Sequence, residues 1–290
     1  MLLPRAENSN SRGLLRMTRR PTIGVFDSGF GGLTVLKALL ELIPQADYLY
    51  FGDTARLPYG SKSVETVARY AVEAAHFLEG HGAEFLVIAC NTATALALDR
   101  IKAAAHVPVV GVVEPGADAA AAVSKKKKIV VLGTEATVGS HAYRKALESR
   151  GLDAREKACP LLVPLVEEGW VEHTVTEQVA RIYLDEAFAD GFRDADTIVL
   201  GCTHYPLIKP LLRRVSPEHV HIVDSAESTA RTVAAHLKEL LPVTPAADEE
   251  RRAQPRLRFF ATDSVEKFRR LGERFLGHPI EDVQHVDLKE

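Results

Sequence analysis

The sequence predicts an α/β fold: two pseudo-symmetric domains, each a doubly wound parallel sheet, that face each other across an inter-domain cleft. Two observations favour this fold. Apolar runs typical of buried strands alternate with segments of helical period, as expected of consecutive β-α-β units. Two short motifs from the first part of the chain then recur later, in the same order.

The first domain is predicted from residue 22 onwards. "TIGVFDSG" predicts a strand, "GGLTVLKALLELIP" has leucines at helical intervals before a proline, and "DYLYFGD" predicts a second strand. A helix is predicted at "SVETVARYAVEAAHFLEGHG", followed by the strand "EFLVIAC", the helix "TATALALDRIKAAA" and the strand "PVVGVVE". Strands that alternate with helices form parallel sheets covered on both faces.

The second domain repeats the first. "IGVFDS" matches "IVVLGT", and "VIACNT" matches "VLGCTH". The gap from Asp27 to Cys90 is 63 residues, and the gap from Gly133 to Cys202 is 69 residues. One such match would arise by chance, whereas two in the same order indicate a duplicated architecture.

The segments after this repeat set the predicted domain boundaries. The strand "LRFFATD" and the helix "SVEKFRRLGERFL" are expected to return to the first unit, after a helix at "TARTVAAHLKELL" and an exposed loop at "TPAADEERRAQP". We therefore assign residues 21–113 and 225–290 to the first domain and residues 114–224 to the second. Residues 1–20, with five arginines and one glutamate, are predicted to form a disordered basic tail.

The composition excludes several classes of protein. A formal net charge of −3 argues against binding to nucleic acid or to a membrane surface, and no apolar run reaches the roughly 18 residues that span a bilayer. The three cysteines cannot all pair and form no CxxC motif, which is typical of reduced intracellular thiols. Since the first twenty residues also lack the apolar core of a signal peptide, we expect a cytoplasmic protein.

Cys90 and Cys202 differ from an ordinary core cysteine because each ends a predicted strand and each corresponds to the other in the duplicated pattern. Small polar residues follow both of them: Asn91 and Thr92, and Thr203 and His204. Ligands of parallel sheets bind beyond the carboxyl ends of the strands, so both thiols are expected at one cleft as a catalytic pair. Cys159 lacks such neighbours and is predicted to be structural.

Two facing thiols can invert a carbon centre. A thiolate on one side removes a proton from the carbon, and a thiol on the other side supplies one to the opposite face, without a metal or pyridoxal. Asp27 precedes a glycine-rich turn whose amides suit an anion, and His204 is close enough to Cys202 to carry protons.

Other interpretations of these residues are weaker. The turn "GFGG", with Asp53 as a ribose ligand, loosely resembles a dinucleotide site but lacks the third glycine. A zinc site of Cys90, Cys202 and His204 lacks metal-like clustering elsewhere. We therefore expect neither a cofactor nor a metal.

Seven motifs in order, over residues 22–225, resemble the glutamate racemases of the aspartate/glutamate racemase superfamily: "IGVFDSGFGGLTVLK", "ARLPYGSKS", "ACNTATA", "VVGVVEP", "LGTEATVGS", "PLVEEG" and "GCTHYPL". This resemblance implies cofactor-independent interconversion of L- and D-glutamate for bacterial peptidoglycan, in an enzyme that is commonly a homodimer. It also implies that Cys90 exchanges the α-proton of D-glutamate and Cys202 that of L-glutamate. Asp27 would assist Cys90, and His204 with Glu167 would assist Cys202.

The resemblance further implies a set of substrate-binding residues: Asp27, Ser28, Tyr59, Gly60, Asn91, Thr92, Thr137, Thr203 and His204. Three alternatives stay open from the sequence. They are a racemase of another acidic amino acid such as aspartate, a hydrolase with Cys202 as nucleophile and His204 as base, and a periplasmic-type binding protein.

Overall fold

The computed structural model describes residues 20–240 and 254–288, which form two all-parallel sheets with helices packed on both faces. The first sheet has the strand order β10-β9-β2-β1-β3-β4. Its strands are β1 (Thr22–Asp27), β2 (Asp47–Gly52), β3 (Phe85–Ile88), β4 (Val109–Gly111), β9 (Leu257–Ala261) and β10 (Val283–His285). The second sheet has the order β6-β5-β7-β8. Its strands are β5 (Lys128–Gly133), β6 (Asp153–Ala158), β7 (Thr197–Gly201) and β8 (His221–Asp224).

The helices connect these strands and cover the sheets. They are α1 (Leu33–Leu42), α2 (Val64–Gly80), α3 (Asn91–Ala104), α4 (Val113–Val123), α5 (Glu135–Ser140), α6 (Ala142–Glu148), α7 (Leu162–Glu167), α8 (Thr174–Ala187), α9 (Lys209–Val215), α10 (Ser225–Leu240) and α11 (Val265–Leu276). Short 3-10 helices lie at Tyr59–Ser61 and Tyr205–Ile208. None of the helices in the described ranges is long and apolar enough to cross a membrane.

The duplication predicted from the sequence is visible in the strand register. In the first sheet Ile23 of β1 lies opposite Phe85 of β3. In the second sheet the matching Ile129 of β5 lies opposite Thr197 of β7. The order β2-β1-β3-β4 is likewise repeated as β6-β5-β7-β8. The predicted fold of two parallel-sheet units is therefore confirmed.

Several elements differ from the sequence prediction. The strand predicted at "PVVGVVE" ends at Gly111, and the helix α4 begins at Val113. The strand β6 has the sequence "DAREKA" and is not predicted by apolar periodicity, because it lies at a sheet edge where polar side chains reach solvent. The helix α10 begins at Ser225 rather than at Thr229.

The chain returns to the first sheet as predicted, because β9 pairs with β2. Residues 1–19 of the predicted basic tail (1–20) and residues 244–253 of the predicted loop (244–255) lie outside the described residues. The predicted domain boundaries remain a proposal that the strand order supports.

One apolar cluster joins the two units. It contains Val25 of β1, Val130 of β5 and Val233 of α10, all fully buried. The helix α10 packs against both α1 and α4, so it lies between the two sheets. Two smaller clusters cover the remaining faces of the sheets. The two units therefore share a core rather than meeting only at their rims.

Candidate active site

Cys90 lies at the junction between β3 and α3. Its backbone is extended, and its Sγ accepts a hydrogen bond from the backbone N–H of Ala93 at 3.4 Å, so the thiol caps the helix. The thiol donates to Ser28 Oγ over 3.6 Å. Burial, reinforced by the negative charge of Asp27, raises the pKa of Cys90 to about 12. Cys90 is therefore a protonated thiol at neutral pH.

Asp27 lies at the end of β1 and connects the two units. Its Oδ2 accepts the N–H of Gly29 at 2.9 Å, and its Oδ1 accepts the hydroxyl of Thr203, from the second unit, at 3.5 Å. Burial raises the pKa of Asp27, although the positive charge of His204 and the N–H of Gly29 oppose this shift. A carboxyl group of raised pKa can both accept and return a proton.

On the other side of this contact, Cys202 follows β7 and has its own acid-base partner. His204 Nδ1 lies 3.9 Å from the Sγ of Cys202, and His204 Nε2 lies 3.3 Å from Glu167 Oε1. Burial would lower the pKa of His204, but the hydrogen bonds to Cys202 and Glu167 outweigh it and raise the pKa to about 10. The imidazole is therefore charged at neutral pH.

The last helix of the chain supports this pair from the first unit. Lys267 Nζ lies 3.6 Å from Glu167 Oε2, and Arg274 Nη1 donates to the Glu167 carbonyl at 3.4 Å. The ring of Phe275 meets His204 edge-on at 5.1 Å. Burial opposes ionisation of Glu167, but His204 and then Lys267 outweigh it and lower the pKa of Glu167. Sequence reasoning missed these α11 residues, whose spacing is that of an ordinary amphipathic helix.

The turn "GFGG" packs directly on the second unit. A Cβ on Gly31 would lie 2.2 Å from Thr203 Oγ1 and 2.5 Å from His204 Nδ1. Thr34, just after the turn, donates its hydroxyl to the Thr203 carbonyl at 3.0 Å. Gly31 therefore allows close approach of the Asp27 turn to the Cys202 turn, and Thr34 fixes that approach.

A hydroxyl cluster links α3 to α5. Thr92 Oγ1 lies 3.0 Å from Thr134 Oγ1 and 3.3 Å from Thr137 Oγ1. Gly60 is beside the cluster, because a Cβ there would lie 3.3 Å from the Cβ of Thr134. The structure thus places the predicted Thr92, Thr137 and Gly60 together. Thr134 was missed, although its match to Ser28 in the duplicated motif would have identified it.

The hydroxyl of Tyr59 is fixed by a buried carboxylate of the same unit. This hydroxyl donates to Asp53 Oδ2 at 2.5 Å, and Asp53 is also bound by Arg56 at 2.7 Å and by the hydroxyl of Thr262 at 2.9 Å. The hydroxyl of Tyr59 is therefore already engaged within the first unit. Asp53 is fully buried, so it does not suit the ribose contact that a dinucleotide site would need.

Asn91 begins α3 directly after Cys90. Its Oδ1 accepts the hydroxyl of Tyr143 at 2.7 Å, while its buried Nδ2 has no hydrogen-bond partner among the described residues. Tyr143, on α6, was not identified from the sequence. Like Asp27–Thr203, the Asn91–Tyr143 pair joins the two halves of the chain.

Cys159 lies apart from these groups. It is fully buried in the core, and its thiol donates to the Lys157 carbonyl at 3.5 Å. All three cysteines are free thiols. Within residues 20–240 and 254–288, no group of three or more His, Cys, Asp or Glu side chains could hold a metal ion.

Comparison with known proteins gives the class to which this fold and site belong. The sequence profile of the Asp/Glu/hydantoin racemase family matches residues 23–233. The chain therefore belongs to this family and is an isomerase.

Within this family, glutamate racemases match most of the chain, and the resemblance drawn from the motifs is confirmed. A glutamate racemase of Koribacter versatilis is 62% identical over an alignment 286 residues long, which covers 93% of this chain and 98% of that protein. A glutamate racemase of Bacillus anthracis has a TM-score of 0.85 at 38% identity, covering 92% of this chain and 98% of that one. The structure of Francisella tularensis glutamate racemase in complex with D-glutamate has a TM-score of 0.83 at 34% identity, covering 93% and 98%.

Proposed function

We propose that this protein interconverts L- and D-glutamate without a cofactor, with Cys90 and Cys202 as its two bases. One contact carries the proposal: Asp27, at the end of β1, accepts the hydroxyl of Thr203, just after β7, at 3.5 Å. It places the segment after β1 against the segment after β7. Each unit thereby contributes one thiol and one acid-base group to a common site.

The proposed reaction moves one proton on each face of the α-carbon. From L-glutamate, the thiolate of Cys202 takes the α-proton, and the electron pair of the broken C–H bond stays on the substrate as a carbanion. The thiol of Cys90 then gives its proton to the opposite face, and a new C–H bond forms. The high pKa of Cys90, about 12, keeps this proton in place until the carbanion is present.

Proton return completes the cycle. After an L-to-D turnover Cys202 is a thiol and Cys90 is a thiolate, so Cys202 must release one proton to solvent and Cys90 must regain one. The positive charge of His204 beside Cys202 favours the release because it stabilises the thiolate. We assign the return of the proton to Cys90 to Asp27, since burial raises the pKa of its carboxyl group. In the D-to-L direction Cys90 first gives its proton to Asp27 and acts as the thiolate, and the thiol of Cys202 supplies the new proton.

The groups proposed to bind the substrate lie at the carboxyl ends of β1, β3, β5 and β7. The backbone N–H groups at the start of α3 and the hydroxyls of Thr92 and Thr137 suit a carboxylate. Ser28, Asn91 and the backbone of Tyr59 and Gly60 complete the surroundings of Cys90, and Thr203 and His204 complete those of Cys202. We also propose that the D-glutamate formed supplies peptidoglycan and that the protein acts as a homodimer.

The first test follows the circular dichroism of L-glutamate with purified protein and no added cofactor. We expect the signal to decay to zero, the racemic end point. A flat signal with glutamate but decay with L-aspartate would instead favour a racemase of the shorter acid, because one methylene changes where the side-chain carboxylate sits.

The second test uses the variants Cys90→Ser and Cys202→Ser in deuterated water. Each should lose racemisation by at least about a thousandfold, since one of two obligatory proton carriers is gone. Each should still exchange the α-hydrogen of one enantiomer only: L-glutamate for Cys90→Ser and D-glutamate for Cys202→Ser. Cys159→Ser serves as the control with a buried thiol outside the site. Full racemisation by either active-site variant would refute the two-base proposal, and an acyl-enzyme that forms without Cys90 would favour the hydrolase.

A further inference from the structure

The side-chain amide of Asn91 is held in one orientation by a partner that the racemase mechanism above does not use. Asn91 is 2% exposed, and its Oδ1 accepts the hydroxyl of Tyr143 at 2.7 Å. Its Nδ2, also buried, has no partner among the residues that the structure describes. Because burying an unpaired N–H donor is costly, such a group in a native site indicates a ligand that completes it.

The position of this amide defines the chemistry of that ligand. Asn91 follows Cys90 and forms the first residue of α3, whose N-terminal end favours negative charge. An N–H donor at a helix N-terminus matches a carboxylate oxygen. With the amide reversed, Oδ1 would face the same space and would repel a carboxylate.

Tyr143 is suited to impose this orientation. It is fully buried, and its ring packs on Gly116 of α4 and Gly201 of β7, where a Cβ would come within 3.2 Å and 3.1 Å. Burial raises the pKa of its phenol, so the hydroxyl remains a donor at any working pH. The hydroxyl of Ser225, the first residue of α10, opposes that shift, which is the effect expected from a group that donates to the phenol oxygen.

We infer that Tyr143 is a positioning residue, whose hydroxyl fixes the Asn91 amide with Nδ2 free to bind a carboxylate of the substrate. This inference rests on the proposed function. Tyr143 is contributed by the second unit, whereas Asn91 belongs to the first unit. The Tyr143 hydroxyl, from the second unit, therefore orients the Asn91 side chain of the first unit.

The test is the KM and kcat of Tyr143→Phe for both enantiomers of glutamate, measured beside the thermal midpoint of unfolding. We expect KM to rise about tenfold in both directions with kcat within about threefold, since the amide binds ground state and transition state alike. Tyr48→Phe is the matched control, because among the described residues this buried hydroxyl donates to the backbone carbonyls of Leu39 and Ile43 alone. Its KM should stay within about twofold of wild type even if its midpoint falls equally.

A double-mutant cycle separates positioning from general support. In an Asn91→Ala background, Tyr143→Phe should add less than about twofold to KM, because the group through which it acts is gone. Additive effects, or an unchanged KM in the folded single variant, would overturn the inference. If Tyr143→Phe does not fold, Ser225→Ala takes its place in the same cycle, with an expected rise of about threefold.

The same measurements distinguish the inference from the function on which it rests. A wild-type protein that does not turn over glutamate overturns both. A wild-type protein that racemises glutamate, together with a Tyr143→Phe variant of unchanged KM, overturns the positioning role alone.

Discussion

At the scale of single residues, the two thiols have different environments. Cys90 lies beside the carboxyl group of Asp27, and burial with that charge raises its pKa to about 12. Cys202 lies beside His204, whose pKa of about 10 leaves the imidazole charged at neutral pH. A carboxyl group and a charged imidazole therefore lie beside two chemically identical thiols, an arrangement that fits the proposed reaction, whose two faces are mirror images.

Glu167 contributes to this asymmetry, and Glu167→Gln tests that contribution. Replacing the carboxylate by an amide removes a negative charge and weakens the hydrogen bond from His204, both of which raise the pKa of His204 in the wild type. We expect the imidazole to titrate near pH 10 in the wild type and about one to two units lower in the variant. NMR titration of the ring, assigned with His204→Gln, measures this shift. The exposed neighbouring Glu168→Gln is the control, and an equal shift there would contradict the assignment to Glu167.

The same pKa predicts how stability depends on pH. His204 titrates near 6.5 when unfolded and near 10 when folded, so between these values the folded state holds a proton that the unfolded state has released. The contribution of His204 to the free energy of unfolding is thus complete below about pH 6.5 and declines as pH rises towards 10. Urea unfolding across this window should show a shallower decline for Glu167→Gln than for the wild type. Parallel slopes would contradict the assignment.

Sequence reasoning found the residues that lie at strand ends and missed those that approach from helices. Asp27 and Cys90 follow apolar runs, and the carboxyl ends of parallel strands share one edge of the sheet, so their proximity is predictable. Tyr143, Lys267 and Arg274 lie on helices with unremarkable periodicity. The partners of these residues are visible only in the structure, where α6 of the second unit packs against the first unit and α11 of the first unit packs against the second.

At the scale of elements, the glycine-rich turn after β1 determines how closely the two halves approach. Gly31→Ala places a methyl group 2.2 Å from Thr203 Oγ1 and 2.5 Å from His204 Nδ1, so these residues must move. A displacement of about 1 Å in a catalytic group costs about a hundredfold in rate, which is the loss of kcat that we expect. Gly139→Ala is the control, because a Cβ there meets nothing within 4 Å. A Gly31→Ala variant with more than about a tenth of wild-type kcat would contradict this interpretation of the turn.

The elements themselves were predictable where periodicity was strong. The duplicated β1-β3 and β5-β7 pairs emerged because buried central strands consist of continuous apolar residues. The edge strand β6 did not, since its charged side chains reach solvent. The helix α4 was missed because the strand "VVG" and the start of the helix, "VEP", read as one apolar run.

At the scale of the whole molecule, the shared core predicts that the two sheets unfold together. Side chains of β1, β5 and α10 belong to one apolar cluster, so disrupting either sheet exposes part of the other. The pattern of the sequence predicted two units but gave no sign of this coupling, because the helix that mediates it, α10, has the amphipathic spacing of any surface helix.

Leu36→Ala tests the coupling from the first unit. Leu36 is fully buried in the shared cluster on α1, so its truncation should lower the free energy of unfolding by about 2–5 kcal/mol. Trp170, the only tryptophan, lies after α7 in the second unit and reports unfolding there by fluorescence. We expect its denaturation curve to coincide with that of far-ultraviolet circular dichroism in the wild type and to move with it in the variant.

Leu42→Ala, on the same helix but 46% exposed, should move neither curve appreciably. A fluorescence transition that stays in place while the dichroism curve shifts would mean that the two sheets unfold independently. The close contact between the Asp27 and Cys202 turns would then have to be maintained by the turns alone.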